Sequence, residues 1–201
     1  KTLGWEGNEA ERFLSAAEEG TYFPDTYLMP LGESGTSTAK RMVDRFNEQF
    51  APYYAGFLKG NIRPETGLKI ASLIERERGN ESDMALISGV IWNRLLEGMK
   101  LDIDATIQYA RGLSAGEAGK KSKGWWAPLK VKDKSLDSPY NTYRVKGLPP
   151  TPISNPGVRA MEAALRPAKT DCLYYLHDTD RQIHCTATYE EHRANIAKYL
   201  K

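Results

Sequence analysis

Leu68-Lys69-Ile70-Ala71-Ser72-Leu73-Ile74-Glu75-Arg76-Glu77-Arg78-Gly79 predicts a helix that stops at Gly79, because glycine readily takes the backbone conformation that ends a helix. With each residue advancing ~100° about the axis, Ile70, Leu73, Ile74 and Glu77 share one face. Glu75 falls almost opposite, on the side expected to meet water. One carboxyl group therefore ends an apolar stripe on the core-facing side. Removing a carboxyl from water favours its neutral form, which is the form that can donate a proton. Glu77 is accordingly a candidate general acid. A glutamate near a helix end is also commonly half-exposed or paired with a neighbour such as Arg78, and periodicity alone does not choose.

Working outward, residues 80–83 predict a turn, with Ser82 as N-cap of a second helix through Glu97. Its apolar stripe is Met84, Ile87, Ile91 and Leu95, and Gly98 closes it. A link this short predicts an antiparallel or steeply crossed helix pair. Upstream, Met42, Phe46 and Phe50 share one face of a helix over 38–50, which Pro52 is expected to end. Residues 19–28, aromatic and β-branched but interrupted by Pro24, predict an edge strand or an extended segment. Residues 32–36 are expected to be a loop. Residues 1–18 hold a short amphipathic helix around Phe13-Leu14 and are expected to be the tail of a preceding unit.

Downstream, Asp104 can cap a short helix that begins with Ala105 and Thr106. Residues 120–134 carry six lysines around Trp125-Trp126. Lysine beside tryptophan suits single-stranded nucleic acid, a membrane surface or sugar stacking, but a solvated loop pinned by two rings is the favoured reading. Residues 138–143 predict a polar-aromatic strand, and 147–153 a proline-stiffened loop. Asn155 and Pro156 are expected to open a helix to Arg166. A hairpin over 173–177 and 182–187 turns through 178–181. Thr188-Tyr189-Glu190-Glu191 is a capping box for a terminal helix. No internal repeat appears. The expected fold class is α+β: a single domain of several helices packed with short antiparallel strands.

The chain has 201 residues, 40% of them hydrophobic and 27% charged, ordinary values for a globular domain. Its formal charge of +2 is too small to demand nucleic acid. No apolar run approaches the ~20 residues that span a bilayer, and no signal peptide is visible. A start at Lys1 rather than Met is compatible with an excised piece. Cys172 and Cys185 flank the hairpin without standing directly opposite one another, which leaves a disulfide open. His177 and His184 share that hairpin, but their spacing matches no standard zinc pattern, so no metal is expected.

There is no phosphate-binding glycine loop and no nucleophile elbow. The three histidines fall in the last 25 residues without a catalytic motif. What remains is carboxylate chemistry, with Tyr, Trp and Asn side chains suited to a polyhydroxy substrate. Glycosidic cleavage fits that inventory. Two-carboxylate glycosidases need a second acidic group roughly 5 to 10 Å away, a part for which Asp102 and Asp104 compete. With one acid only, the substrate's own hydroxyl attacks, and the same carboxyl serves first as acid and then as base.

The residues also carry a resemblance. Glu19-Gly20 with Pro24-Asp25-Thr26-Tyr27, Ala71 to Glu77, Asn93-Arg94-Leu95 with Gly98-Met99, and Asp104 with Thr106 and Tyr109 occur in the order of one family. Ser138 to Tyr143, Gly147-Leu148-Pro149-Pro150, Asn155-Pro156-Gly157 and Glu191-His192 continue it. Together they resemble the endolytic murein transglycosylases, the MltG or YceG-like family, over about residues 19–200. The resemblance implies a lysozyme-like catalytic helix and a catalytic domain over 19–201, preceded at 1–18 by a linker or the tail of a LysM-like subdomain. It implies a membrane-anchored bacterial enzyme at the outer face of the cytoplasmic membrane, which cuts MurNAc–GlcNAc bonds of nascent strands. The products carry 1,6-anhydroMurNAc ends, and strand growth terminates.

By the same resemblance Glu77 is the catalytic acid and base, and no cofactor is needed. Asn141, Tyr143, Asp104, Thr106 and Tyr109 are expected to line the glycan cleft, with Asp102 assisting or contacting substrate. Asn93 and Arg94 are expected to brace the second helix. Peptidoglycan strands are the implied partner, with peptidoglycan synthases beside them and no nucleic acid. Departures from the family pattern are Arg78 after the glutamate, Asp102 for Gln, Ala105 for Pro and Thr151 for Gly; the lysine- and tryptophan-rich loop is expected to be an insertion. A neighbouring Arg78 would oppose the effect of burial on Glu77, although helical geometry points it ~100° away. The rival functions are a lysozyme-like peptidoglycan hydrolase and a non-catalytic glycan-binding wall module.

Overall fold

The computed structural model describes residues 4–115 and 126–200. At its centre lies α3 (Pro64–Glu77), whose Ile70, Ala71, Leu73 and Ile74 are completely buried. Pro64 stands at the first helical position, where its missing N–H costs nothing and its fixed φ suits a helix. The helix ends differently from expectation. Arg78 already has extended backbone, so Glu77 is the last helical residue and Gly79 caps nothing. Gly79 is small for another reason: a Cβ there would lie 2.6 Å from the His177 ring.

The helix before it, α2 (Gly35–Lys59), runs through Pro52 instead of stopping at it. A proline inside a helix loses one hydrogen bond and costs about 3 kcal/mol. Burying each large side chain returns about 1.5–3 kcal/mol. Phe46, Phe50 and Phe57 all lie on the buried face, within two turns on either side of the proline, so packing outweighs the local penalty. Ser34 caps the start, its Oγ accepting the Ser37 N–H at 3.2 Å, so the helix begins within the segment expected to be a loop. Ahead of it, α1 (Glu9–Ser15) packs on the start of α2, with Glu9 accepting the Gly35 N–H at 2.6 Å.

After α3 a short 3-10 turn, Glu81–Asp83, leads into α4 (Met84–Leu96). Asn80, not Ser82, caps this entry. Its side chain accepts the Ser82 N–H at 2.9 Å, while Asp83 accepts the Asn80 N–H at 3.1 Å. Next come α5 (Asp104–Ala115) and α6 (Val158–Leu165). The small buried residues Ala160, Ala163 and Ala164 let α6 lie close against α3. Asn155 does not open α6. Its Oδ1 accepts the N–H groups of Gly20 and Tyr22 at 2.9 and 3.0 Å, pinning the turn at 19–20 and the extended chain after it, which pairs with no strand among the described residues.

The expected strand over 138–143 is instead a run of turns. Asn141 accepts the Tyr143 N–H on its side chain at 3.0 Å, offering the backbone a local partner that competes with a sheet ladder. The hairpin forms as expected: β1 (Tyr174–His177) pairs antiparallel with β2 (Ile183–Thr186), Tyr175 opposite Cys185. Cys172 and Cys185 are disulfide-bonded, their Cα atoms 5.8 Å apart. Asn93 holds the Cys172 end, donating to the carbonyls of Thr170 and Cys172. The Thr188 capping box opens α7 (Tyr189–Tyr199).

Seven helices and a two-stranded antiparallel sheet among the described residues make a mixed α+β fold. No helix among them is long and apolar enough to cross a membrane. Of the lysine- and tryptophan-rich loop, residues 120–125 lie outside the described residues. Trp126 is partly buried, with the Arg76 guanidinium 3.6 Å from its ring centre.

The contact between α2 and α3 is tight at Gly67, where an added Cβ would come within 2.4 Å of the Phe57 ring. Gly67→Ala is expected to destabilise the fold by about 1–3 kcal/mol through overpacking, read as a lower denaturation midpoint at unchanged slope. An unchanged midpoint would contradict this packing.

Candidate active site

The end of α3 delivers Glu77 into a cleft of about 510 Å³. The Tyr175 hydroxyl, donated from β1, reaches its Oε2 at 2.7 Å. The Ala105 N–H at the start of α5 also turns toward the carboxyl group. Glu77 keeps a partial opening to the cleft, yet protein surrounds its carboxyl on nearly every side. That burial pushes its pKa above the ordinary carboxylate range, and the charge of Asp104 adds to the rise. The Tyr175 and Ala105 hydrogen bonds and the nearby His177 work in the opposite direction. Desolvation is the largest effect, so the group is held toward its protonated form.

Arg78 does not oppose this. Its guanidinium pairs with Glu75 at 3.0 Å. Glu75 itself is less exposed than its helical position suggested, because its other oxygen accepts the Gly157 N–H at 3.1 Å. The two carboxylates of the Glu-Arg-Glu run therefore have separate work: Glu75 ties α3 to the start of α6, and Glu77 faces the cleft.

The opposite wall comes from Asp102, Asp104 and Tyr143, all lining the same cleft. The Tyr143 hydroxyl donates to Asp104 Oδ1 at 2.6 Å, and burial beside that carboxylate pushes its own pKa upward. Asp102 has φ of 52°, a left-handed conformation that aspartate tolerates, and its carboxylate lies 3.3 Å from Arg94 Nη1. Arg94 braces, as expected, by donating to the carbonyls of Lys100 and Leu101. It also lines the cleft, 5.0 Å from the Tyr174 ring centre.

The remaining sequence candidates stand behind this wall. Thr106 and Asn141 are both 0% exposed. The Thr106 and Thr142 hydroxyls are 3.0 Å apart, and Thr142 Oγ1 also accepts the Ile103 N–H at 3.0 Å. Asn141 donates to the carbonyls of Lys134 and Leu136 at 3.0 and 2.7 Å. Tyr109 is buried against Tyr140, ring centres 5.1 Å apart. Burial pushes its pKa up to about 12. Thr106 joins the start of α5 to the 138–143 segment through Thr142, Tyr109 packs on Tyr140, and Asn141 ties 134–136 to Tyr143, and these contacts hold Asp104 and Tyr143 at the cleft.

No motif marks Tyr175, which lies 98 positions from Glu77. The available signal was strand alternation, which puts Tyr175 and His177 on one face of β1. Asn141→Ala would leave two carbonyls and the Tyr143 N–H without their partners. It is expected to lower stability by at least about 1–3 kcal/mol, measured by denaturant titration. Tyr143→Phe, which removes a single hydroxyl at the cleft wall, is expected to shift the midpoint less.

The chain is similar to known proteins in sequence and in fold. Residues 2–198 match the model of the YceG-like family. A Bacillus subtilis (strain 168) protein named endolytic murein transglycosylase is 37% identical over 90% of this chain and 48% of its own length. A Streptococcus pneumoniae (strain D39) protein of the same name is 32% identical over 90% of this chain and 32% of its own. The chain thus spans half or less of these relatives. A crystal structure of a YceG-like protein from Listeria monocytogenes superposes with a TM-score of 0.78 at 34% identity, covering 92% of this chain and 58% of that one. With nearly the whole of its length matched by the family model and the fold shared, this chain belongs to the YceG-like family.

Proposed function

We propose that this chain is the glycan-cleaving unit of an endolytic peptidoglycan lytic transglycosylase. The observation that carries it is the desolvated Glu77 carboxyl at the floor of an open cleft, in a chain similar to proteins of that name. The substrate is the MurNAc–GlcNAc bond of nascent strands. In the first step the neutral Glu77 carboxyl gives its proton to the glycosidic oxygen as the C1–O bond breaks. In the second, the Glu77 carboxylate takes the proton of the C6 hydroxyl as O6 bonds to C1. The product end is 1,6-anhydroMurNAc, and no water is consumed.

Tyr175 steadies the carboxylate formed between the steps, since a hydrogen bond to the charged form favours it. Asp104, Tyr143 and Asp102 are the glycan contacts in this scheme, while Asn141, Thr106 and Tyr109 support them from behind. The protein works at the outer face of the cytoplasmic membrane, anchored by a segment outside this chain, on strands supplied by peptidoglycan synthases. The Cys172–Cys185 disulfide supports an oxidising compartment.

Hydrolysis is a second function favoured by a specific observation: Asp102 and Asp104 share the cleft with Glu77, and either could activate a water. Digestion of polymeric peptidoglycan separates the two. Anhydro ends are expected from wild type, whereas hydrolysis gives reducing ends one water heavier. Glu77→Gln is expected to lower the rate on the order of 10²- to 10⁴-fold, with Glu75→Gln as the control. Equal yields from wild type and Glu77→Gln would defeat the assignment.

The raised pKa of Glu77 also has a sign for stability. A carboxyl whose folded pKa lies above its unfolded value contributes stability that is complete below the unfolded pKa, about 4.3. That contribution is lost as pH rises through the folded pKa. Glu77→Gln is therefore expected to raise Tm at neutral pH and to change it little below pH 4, read by thermal melts across that range. Loss of the Asp104 charge by Asp104→Asn is expected to lower the Glu77 pKa and move the alkaline limb of kcat/KM to lower pH.

A further inference from the structure

One face of β1 makes two separate contacts with the catalytic end of α3. Tyr175 reaches the Glu77 carboxyl at 2.7 Å. Two residues along, His177 packs its ring over Gly79, where a Cβ would be 2.6 Å from Cδ2 and 2.9 Å from Nε2. Its Nε2 lies 3.1 Å from Asp83 Oδ2. Asp83 is only 4% exposed and is itself fixed, because the same Oδ2 accepts the Asn80 N–H that opens the turn into α4. Glu77 is the last helical residue, so no further turn of helix restrains it.

We infer that His177, braced by buried Asp83 and seated on Gly79, is a positioning residue that holds the β1–β2 hairpin in register on α3 and so keeps the Tyr175 hydroxyl on the Glu77 carboxyl. The inference rests on the glycosidase function proposed above. Beside the direct effect of a charged ring on Glu77, the geometry gives His177 a path through the strand. If the ring loses its seat, the strand face shifts, and Tyr175 loses the short bond that stabilises the carboxylate half of the cycle. Other charged or titratable groups around Glu77 are Asp104 from α5, Asp102 and Tyr143 on the opposite wall, Arg94 from α4 and Arg76 on its own helix. None of them touches Asp83 or Gly79 through a hydrogen bond or ion pair among the described residues.

The test compares His177→Ala, His177→Gln and Asp83→Asn in the whole chain. His177→Ala is expected to lower kcat on the order of 10²-fold, the usual cost of a 1 Å misplacement, with KM unchanged. The alkaline limb of kcat is expected to move to higher pH, because the hydrogen bond favouring the Glu77 carboxylate weakens. His177→Gln, whose amide can still donate to Asp83, is expected to recover most of kcat and the wild-type limb. Asp83→Asn should fall between the two. The carbon-13 shift of the Glu77 carboxyl, titrated by NMR in each variant, reads the same change without turnover.

A His177→Ala variant with a lower Tm but wild-type kcat and Glu77 titration would overturn the inference, as that is a purely structural role. Equal upward shifts in His177→Ala and His177→Gln would overturn it too, since the ring's charge alone would then account for them. If His177→Ala does not fold, His177→Gln and Asp83→Asn decide between the same outcomes. Loss of all difference between wild type and Glu77→Gln is a separate result: it removes the proposed function, while the NMR titration still judges the role of His177.

Discussion

A carboxyl group at the edge of a hydrophobic core is costly to ionise, and the structure around Glu77 balances that cost against a few directed hydrogen bonds. Burial beside α3 raises its proton affinity, and the Tyr175 hydroxyl and the Ala105 N–H limit the rise. A group poised in this way can release a proton and take it back without leaving its place. The packed part of α3, Ile70 to Ile74, holds the helix rigidly enough for that balance to persist. Helix, hairpin and the start of α5 meet at one side chain, so the architecture of the domain is in large part the architecture of this carboxyl.

The cleft wall is built on a different principle. Polar side chains line it, and buried polar residues stand behind part of it, as Asn141 does behind Tyr143. The Thr106–Thr142 pair joins the first turn of α5 to the irregular 138–143 segment, and the Asn141 side chain ties residues 134–136 to Tyr143. Buried hydroxyls and amides must be satisfied, so the network admits few alternative arrangements. This accounts for motif residues that look like sugar ligands in the sequence and yet never meet solvent.

Much of the fold was legible in advance because its signals are local. The apolar period of α3, the alternation in the hairpin and the Thr188 capping box each depend on residues within one or two turns of each other. The structure departs from local expectation where tertiary contacts outweigh a local rule. Pro52 predicts a helix end, but the aromatic face of α2 carries the helix past it. Asn155 looked like a cap and is instead a clamp on the distant Gly20 and Tyr22. Residues 138–143 have the composition of a strand, yet the Asn141 side chain bends them into turns.

The sequence by itself determined that Glu77 faces inward and Glu75 does not share its face, because 3.6-residue periodicity is a property of the helix alone. It also determined the hairpin, the terminal helix and the family. Only the tertiary structure decided which group meets that carboxyl, that Arg78 turns to Glu75, that Cys172 and Cys185 join, and that Asn141 and Thr106 stand behind the wall. The physical reason is range. Periodicity and capping are written in near neighbours, whereas a hydroxyl 98 positions away finds its carboxyl only when the packed core has brought the two elements together.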